Sequence, residues 1–274
     1  MAIIDMFECD DFSISHSVDT NPVDNHFDYH IHDSYEFFCL VRGKVGYIVE
    51  GRTYKLKPGA VLLMRKGEAH KLIVNESEEY ERYVLNFRPE LFSAFSPALL
   101  TPYTNRALGT ANLYLPQVLD VSAISMFEKV FKEAPIIGVR DAVTINIASL
   151  LASIGIAFSN SEIKHPRIEN ELGDAIISYI NENLLSELSL KSISSAIHIS
   201  PSQINRIFKR ISGTSVYDYI LSKRLILFQE KFLGGMSAFE ASQECGFRDY
   251  SSFYRLYKKR FGIAPTRQNK NPPA

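Results

Sequence analysis

Cysteine is scarce in this 274-residue chain: Cys9, Cys39 and Cys245 are three, an odd number at wide spacing. That excludes a full disulfide framework or a Cys-rich zinc site, and each reads as a free, mostly buried thiol. Basic residues are missing from the N-terminus, where Met1 to Asp11 carries acids in the place of a signal peptide's Lys or Arg. No apolar run approaches the roughly 18 residues of a membrane span. A cytoplasmic protein with no membrane partner is therefore expected. Also lacking are a Gly-rich phosphate loop, a Gly-x-Ser-x-Gly elbow and a nucleophile–base motif, so most enzyme classes have no support and no cofactor is expected. What remains is globular in composition, 46% hydrophobic and 22% charged, and long enough for one large domain or two ordinary ones.

The net charge of −1 hides an asymmetry. Residues 1–164 carry 15 basic and 21 acidic side chains, a net −6, whereas residues 165–274 carry 15 and 10, a net +5. From Ser200 onward the balance is 13 to 5, or +8. An acidic front and a basic back suggest two modules with different partners, and a basic surface attracts nucleic acid. Charge alone slightly favours a solvated basic face with no partner.

From about residue 27 to 87 the chain reads as short strands. Tyr35 to Val41, Lys44 to Val49, Thr53 to Leu56, Val61 to Met64, His70 to Val74 and Tyr80 to Phe87 are separated by turns, among them Glu50-Gly51-Arg52 and Pro58-Gly59. Such spacing implies a β-sandwich or barrel. Pro89 closes this region, and helical periodicity follows at about 118–158. Phe127, Val130 and Phe131 make one stripe, and Val143, Ile147, Leu150, Leu151 and Ile154 another. The polar stretch from Ser159 to Arg167 reads as a linker.

The remainder is helical. Glu169 to Leu184 carries a stripe of Leu172, Ile176, Tyr179 and Ile180, and a short helix follows from an expected cap at Ser189. After the break at His198-Ile199, Ser200-Pro201 opens a helix burying Ile204, Ile207, Phe208 and Ile211 and ending at Gly213. Its other face carries Ser202, Gln203, Asn205, Arg206, Lys209 and Arg210. A short helix, a tight turn and a second helix with a polar, basic outer face is a helix-turn-helix pattern. Arg bridges guanine, and Asn or Gln pairs with adenine.

The pattern then repeats. Ser237-x-x-Glu240 is a capping box, Gly246-Phe247 a stop and Asp249 a cap, followed by a helix burying Phe253, Tyr257 and Phe261. Tyr250, Ser251, Tyr254, Arg255, Lys258 and Lys259 face outward. Between the units, Ser215-x-x-Asp218 opens a helix running to about Phe232, roughly 27 Å long at 1.5 Å per residue. That length suits two reading helices in successive major grooves, ~34 Å apart.

Residues from about 169 to 268 resemble the AraC/XylS regulators. The matching residues are Ala196, Ser200, Ser202, Arg206, Phe208, Lys209, Gly213, Ser215, Tyr219 and Arg224, then Glu240, Gly246-Phe247, Asp249, Ser251, Phe253, Arg255, Lys258, Phe261-Gly262 and Pro265. The resemblance implies a DNA-binding domain with two readers, with base contacts from Ser202, Asn205 and Arg206 and from Tyr250, Ser251, Tyr254 and Arg255. Gln203, Lys209 and Lys258 complete the expected DNA-binding set. The chain departs from the family pattern at Phe228, Lys231, Ala238, Ala241, Ser242 and Thr266-Arg267-Gln268. Large-to-small changes cost packing unless refilled, and Phe228 and Phe239 are the candidates to refill the space.

In the first half, His30-Ile31-His32, Glu36, Gly43 and His70 resemble the cupin motif, H-x-H-x(3)-E-x(6)-G with a later His. In cupins these positions hold a metal, and three imidazoles with a carboxylate suit Zn, Mn, Fe or Ni. Regulators resembling this chain often keep such a trace while the barrel binds a small organic effector, commonly a sugar. The effector reading ranks first, with Tyr47, Arg65, Tyr83 and Asn86 as further lining. Plain packing ranks second and a metal third, so no metal site is assigned. His16, His26, His165 and His198 read as surface residues.

The expectation is thus an α+β chain of two domains. A cupin-like effector-binding and dimerisation domain spans 1–160, a linker 161–168, and a DNA-binding domain with two helix-turn-helix units 169–274. It would act on double-stranded promoter DNA under a carbohydrate effector, as a homodimer paired through the helices at 118–158, with RNA polymerase a candidate partner. Activation and repression both remain open. The alternative is a metal-dependent cupin enzyme with an appended helical domain.

Overall fold

The computed structural model describes residues 2–20, 30–74, 79–160, 167–168, 171–212 and 214–265. The chain divides into two compact units, one of residues 1–28 and 34–169, the other of residues 170–274 together with the short segment 29–33.

The first unit is two facing antiparallel sheets. Strands β1 (Ala2–Glu8), β2 (Phe12–Asp19), β3 (Tyr35–Arg42), β6 (Val61–Met64), β8 (Tyr80–Phe87) and β9 (Leu113–Tyr114) form a sheet of order β1-β2-β8-β3-β6-β9. The second sheet, β10-β5-β4-β7, comprises β4 (Val45–Val49), β5 (Arg52–Lys55), β7 (His70–Val74) and β10 (Arg167–Ile168). The expected strands are present, and two precede them: β1 and β2 lie ahead of the region that reads as strand in the sequence. Their signal is the alternation in Phe12-Ser13-Ile14-Ser15-His16-Ser17-Val18-Asp19. Part of the stretch that reads as a linker, Arg167–Ile168, pairs with β5 instead.

Alternation also sorts the large sheet's two faces. Phe12, Ile14, Phe37, Cys39, Leu63, Tyr83, Leu85 and Phe87 point outward into one apolar cluster. Two helices cover it, α2 (Ala123–Ile137) and α3 (Val139–Ser159), after a one-turn α1 (Thr101–Thr104). Phe127, Val130, Val143, Ile147, Leu150, Leu151 and Ile154 are all fully buried there, as their spacing predicts. Gly138, at φ +94°, separates α2 from α3. By length and mean hydropathy, 1.8 over its best window, α3 does qualify as apolar enough to cross a membrane, contrary to the sequence expectation. Most of its apolar residues are buried in the cluster with the sheet and α2, while Ile145 and Ile156 stay exposed, and Asn146 donates to Glu133 Oε2 and the Ala142 carbonyl.

The opposite face meets the second sheet. Phe38, Leu40, Leu62, Met64 and Tyr80 pack there against Val45, Tyr47, Val49, Tyr54, Leu72 and Val74. Fully buried Glu68 ties down the segment entering β9. It accepts from both Arg106 terminal nitrogens (2.5 and 2.8 Å), the Gly109 N–H (2.8 Å), the Arg65 N–H (3.0 Å) and Asn112 Nδ2 (3.0 Å). Gly109 must be glycine: its φ is +67°, and a Cβ would meet Glu50 Cβ at 2.6 Å.

In the second unit, α4 (Glu171–Glu182), α5 (Leu190–Ile197) and α6 (Pro201–Ser212) form one bundle. The long α7 (Val216–Leu233) leads to α8 (Ala238–Glu244) and α9 (Tyr250–Phe261). One expected stripe residue is displaced: Leu172 is 45% exposed, and Ile177 takes a core place beside Ile176 and Ile180. Ile207 and Phe261 are half-buried.

Burial pushes the Glu68 carboxyl up, but Arg106 and the backbone N–H groups outweigh it and hold the pKa below the usual value of 4.5. That stabilisation is fully present above pH 4.5 and lost as pH falls through the lowered pKa of the folded state. Glu68→Ala leaves Arg106 buried without its partner, so urea unfolding at neutral pH should show a loss of about 3–5 kcal/mol. The variant should also lose the part of the wild-type acid sensitivity that Glu68 supplies.

Candidate functional site

Helices α5 to α9 each start where a side chain captures free N–H groups. Ser189 and Ser192 form a reciprocal capping box at α5, and Ser237 with Glu240 does the same at α8. Ser215 accepts from the Asp218 N–H at α7, and Asp249 from the Ser252 N–H (2.6 Å) at α9. His198 takes the left-handed conformation (φ 60°) that ends α5. The Gly213 stop lies outside the described residues, as do His26, His165 and Thr266-Arg267-Gln268.

On α6, Ile204, Phe208 and Ile211 are buried, and Ser202, Gln203, Asn205, Arg206, Lys209 and Arg210 are all exposed. Gln203 is partly engaged locally: its side-chain oxygen accepts from the Ser200 N–H (3.2 Å) and hydroxyl (3.0 Å), closing the cap of α6. On α9, Phe253 and Tyr257 are buried. Ser251, Arg255, Lys258, Lys259 and Arg260 are exposed, and Tyr250 and Tyr254 half-exposed. Both outer faces are thus polar, basic and free of acids, with the first turn of each helix open to a ligand.

Helix α7 is anchored at both ends. Fully buried Tyr219 meets Phe208 of α6 edge-on at 5.2 Å. At the other end Phe228 packs at 4.5 Å from Phe253 and 5.3 Å from Tyr257. Phe228 therefore fills the space left by Ala238, Ala241 and Ser242, as the sequence suggests. Phe239 does not: it is 58% exposed. Lys231 stays at the surface, paired with Glu244 at 2.5 Å. Midway, Arg224 donates to the carbonyls of Leu184 (2.9 Å), Ser186 (2.7 Å) and Gly246 (2.7 Å), joining the two helix-turn-helix modules within the second unit through one guanidinium. Gly246 (φ +81°) is required there, since a Cβ would lie 2.8 Å from the Arg224 guanidinium carbon. Sequence matching finds Arg224, but only as a family residue, with no hint of this joint.

In the first unit, cross-strand partners share a face. Glu36 lies opposite Asn86, Phe38 opposite Val84, and Leu40 opposite Arg82, all toward the second sheet. On β2, Ser13, Ser15, Ser17 and Asp19 lie opposite Asn86, Val84, Arg82 and Tyr80. An inward polar lane thus crosses the large sheet. Of the expected lining, Glu36, His70, Tyr47 and Asn86 are on inward-facing positions. Tyr83 is not: it alternates to the helix side, stacked on Phe127 at 5.2 Å and beside Phe131. Arg65 follows β6 with its Nε 3.9 Å from Glu68, in the buried clasp. Missing from the expected set are Tyr80, Arg82 and the β2 serines, although the alternation in β2 marks them. His16 is not a plain surface residue either. Its Nε2 lies 2.8 Å from Glu81, and its ring 4.4 Å from Tyr83.

Buried His70 directs Nδ1 to the Glu68 carbonyl (2.8 Å), leaving Nε2 3.5 Å from Glu36 Oε2. Burial pushes the His70 pKa down, but Glu36 and the Glu68 carbonyl outweigh it, so the pKa is raised. Of the cupin-like residues, Glu36 and His70 come together in the first unit, whereas His30 and His32 are grouped with the second.

A family model described as a helix-turn-helix domain matches residues 193–271, and one described as an AraC-like ligand binding domain matches 18–134. Both halves of the chain are thus similar to AraC-type regulators. The arabinose operon regulatory protein of Salmonella typhimurium is 26% identical over 82% of this chain and 80% of its own. The probable transcriptional regulator LumQ of Photobacterium leiognathi is 31% identical over 34% of this chain and 38% of its own. LumQ and the other relatives matched through the helical half are covered over only a third to a half of their length. A solved structure of ToxT from Vibrio cholerae, bound to an unsaturated fatty acid, aligns over 95% of both chains at 14% identity and a TM-score of 0.38.

Proposed function

We propose that this AraC-like chain is a sequence-specific DNA-binding transcriptional regulator, acting in the cytoplasm and governed by a small polar effector held between the sheets of its first unit. The observation that carries the reading is the pair of exposed, capped, basic helices, α6 and α9, anchored on one rigid α7. Helix N-termini and basic side chains position phosphates, and the outward side chains read base edges. In this reading Ser202, Asn205 and Arg206 contact bases from α6, with Gln203 dividing its time between its cap and the duplex. Tyr250, Ser251, Tyr254 and Arg255 read from α9, and Lys209 and Lys258 hold phosphate.

Support for a polyhydroxylated, carbohydrate-like effector comes from the inward lane of Ser15, Ser17, Asp19, Arg82, Asn86 and Glu36, facing Tyr47 and His70. Such a mixture of donors and acceptors beside aromatic rings suits hydroxyl-rich ligands. An effector that binds two conformations unequally shifts their populations, and DNA affinity with them. Pairing of two copies is supported by Ile145 and Ile156 on α3, 58% and 55% exposed on one face with Ser149 and Ala152 between them. RNA polymerase is a partner if the regulator activates.

Duplexes selected from a random library and tested by gel shift should give sequence-selective, salt-sensitive binding. Arg206→Ala should weaken it by about 1–3 kcal/mol and relax preference at one or two base positions. Binding that ignores sequence overturns the reading. For the effector, a panel of free pentoses and hexoses should contain members that raise the melting temperature of the full chain. The shift should vanish in Arg82→Ala and persist in Tyr83→Phe. If no sugar shifts the wild type, the carbohydrate assignment fails while DNA reading stands.

A further inference from the structure

We infer that the two readers use different base chemistry, and that the second recognises thymine through an exposed aromatic ledge of Phe239, Tyr250 and Tyr254. This rests on the DNA-reading proposal above and assigns its α9 half-site.

Phe239 is the most exposed phenylalanine among the described residues. Its position is built rather than loose. The Ser237–Glu240 capping box fixes the first turn of α8, and the Phe239 carbonyl accepts from the Ser242 hydroxyl at 2.7 Å. The interior has no room for it, because Phe228, Ala241, Cys245, Phe253 and Tyr257 already fill that core. The ring instead lies 5.8 Å from the ring of Tyr250, the first residue of α9, and Tyr250 lies 6.5 Å from Tyr254 one turn on. Three aromatic rings therefore line the leading end of the second reading helix, where a helix-turn-helix places its base contacts.

The surrounding charge points to the occupant. Arg255, Lys258, Lys259 and Arg260 are exposed on α9, whose one adjoining acid is the cap Asp249, and Arg248 before it pairs with Glu187. An apolar ledge inside a positive field suits a polyanion that presents apolar groups. In the DNA major groove the apolar feature of the base edges is the thymine 5-methyl group. The first reader has no exposed aromatic ring: apart from Pro201, the exposed side chains of α6 are hydroxyl, amide, guanidinium and ammonium groups. Its chemistry selects purine edges by hydrogen bonding, whereas the second selects by methyl contact.

The test uses the full chain and a duplex selected from a random library. The α9 half-site is identified as the one whose preference Arg255→Ala relaxes. Thymines are then replaced by deoxyuridine, which removes only the methyl, in one half-site at a time. Burying one methyl corresponds to about fourfold in affinity, so uracil across the α9 half-site should weaken wild-type binding about tenfold or more. The same replacement in the α6 half-site should change it less than about twofold. Phe239→Ala and Tyr250→Ala should bind the thymine duplex more weakly and no longer distinguish uracil, with Phe239→Ala melting as the wild type does. Equal affinity for thymine and uracil duplexes, with selective binding intact, overturns the ledge and leaves the DNA reading standing. Absence of any selected duplex overturns both. If Phe239→Ala abolishes transcription in a reconstituted assay while uracil sensitivity is absent, the ledge faces a protein and the inference is wrong.

Discussion

The second unit depends on how α7 is held. Two helix-turn-helix units on one chain are useful as a pair only if the angle between them is set, and three contacts set it: Tyr219 on Phe208 at one end, Phe228 on Phe253 and Tyr257 at the other, and Arg224 between. The two aromatic contacts are apolar and keep each bundle on the helix without fixing its rotation closely. The Arg224 guanidinium does that, because its planar donors must meet three carbonyls at once. Arg224 is half-buried, and desolvation lowers its pKa without threatening its charge near neutrality. Packing therefore holds the units on, and directional hydrogen bonds orient them.

Much of this was legible in the sequence because helix starts are local events. Ser189, Ser215, Ser237-x-x-Glu240 and Asp249 read as caps, and each of them caps. Stripes with a strong period were equally plain: Ile204, Phe208 and Ile211 are buried together on α6. The errors arose where a long-range contact decided. Leu172 fits the periodicity of α4, but Ile177 has the inward position. Phe239 looks like a core residue by type, yet Phe228 reaches the same space first from another helix. No single-helix pattern carries that information.

In the first unit the limit was parity. A strand turns alternate residues to opposite faces, so choosing lining residues by type alone misassigned Tyr83 and overlooked Arg82, one position before it. The register with β3 settles the matter: Tyr83 lies opposite Cys39 on the helix side, and Arg82 opposite Leu40 on the inner side. Arg65 belongs to the Glu68 clasp, which no short motif announces because its members span residues 65 to 112. The polar alternation of β2 is readable in the sequence, and it divides the strand between a mainly apolar outer face, interrupted by His16, and a polar inner one. The unit therefore has an apolar layer that holds the helices and a polar lane on the inner face of its large sheet.

The central claim is that α6 and α9 act as one rigid pair along a single face of the duplex. The most direct measurement varies the DNA between the two half-sites and leaves both half-sites intact. Inserting five base pairs turns one half-site to the opposite face of the helix, and inserting ten restores the face but lengthens the span by a full turn. A pair locked by α7 and Arg224 should lose most of its affinity with either insertion, falling to that of a single half-site. Retention of full affinity at both spacings would mean that the two units move independently, and the account would be contradicted.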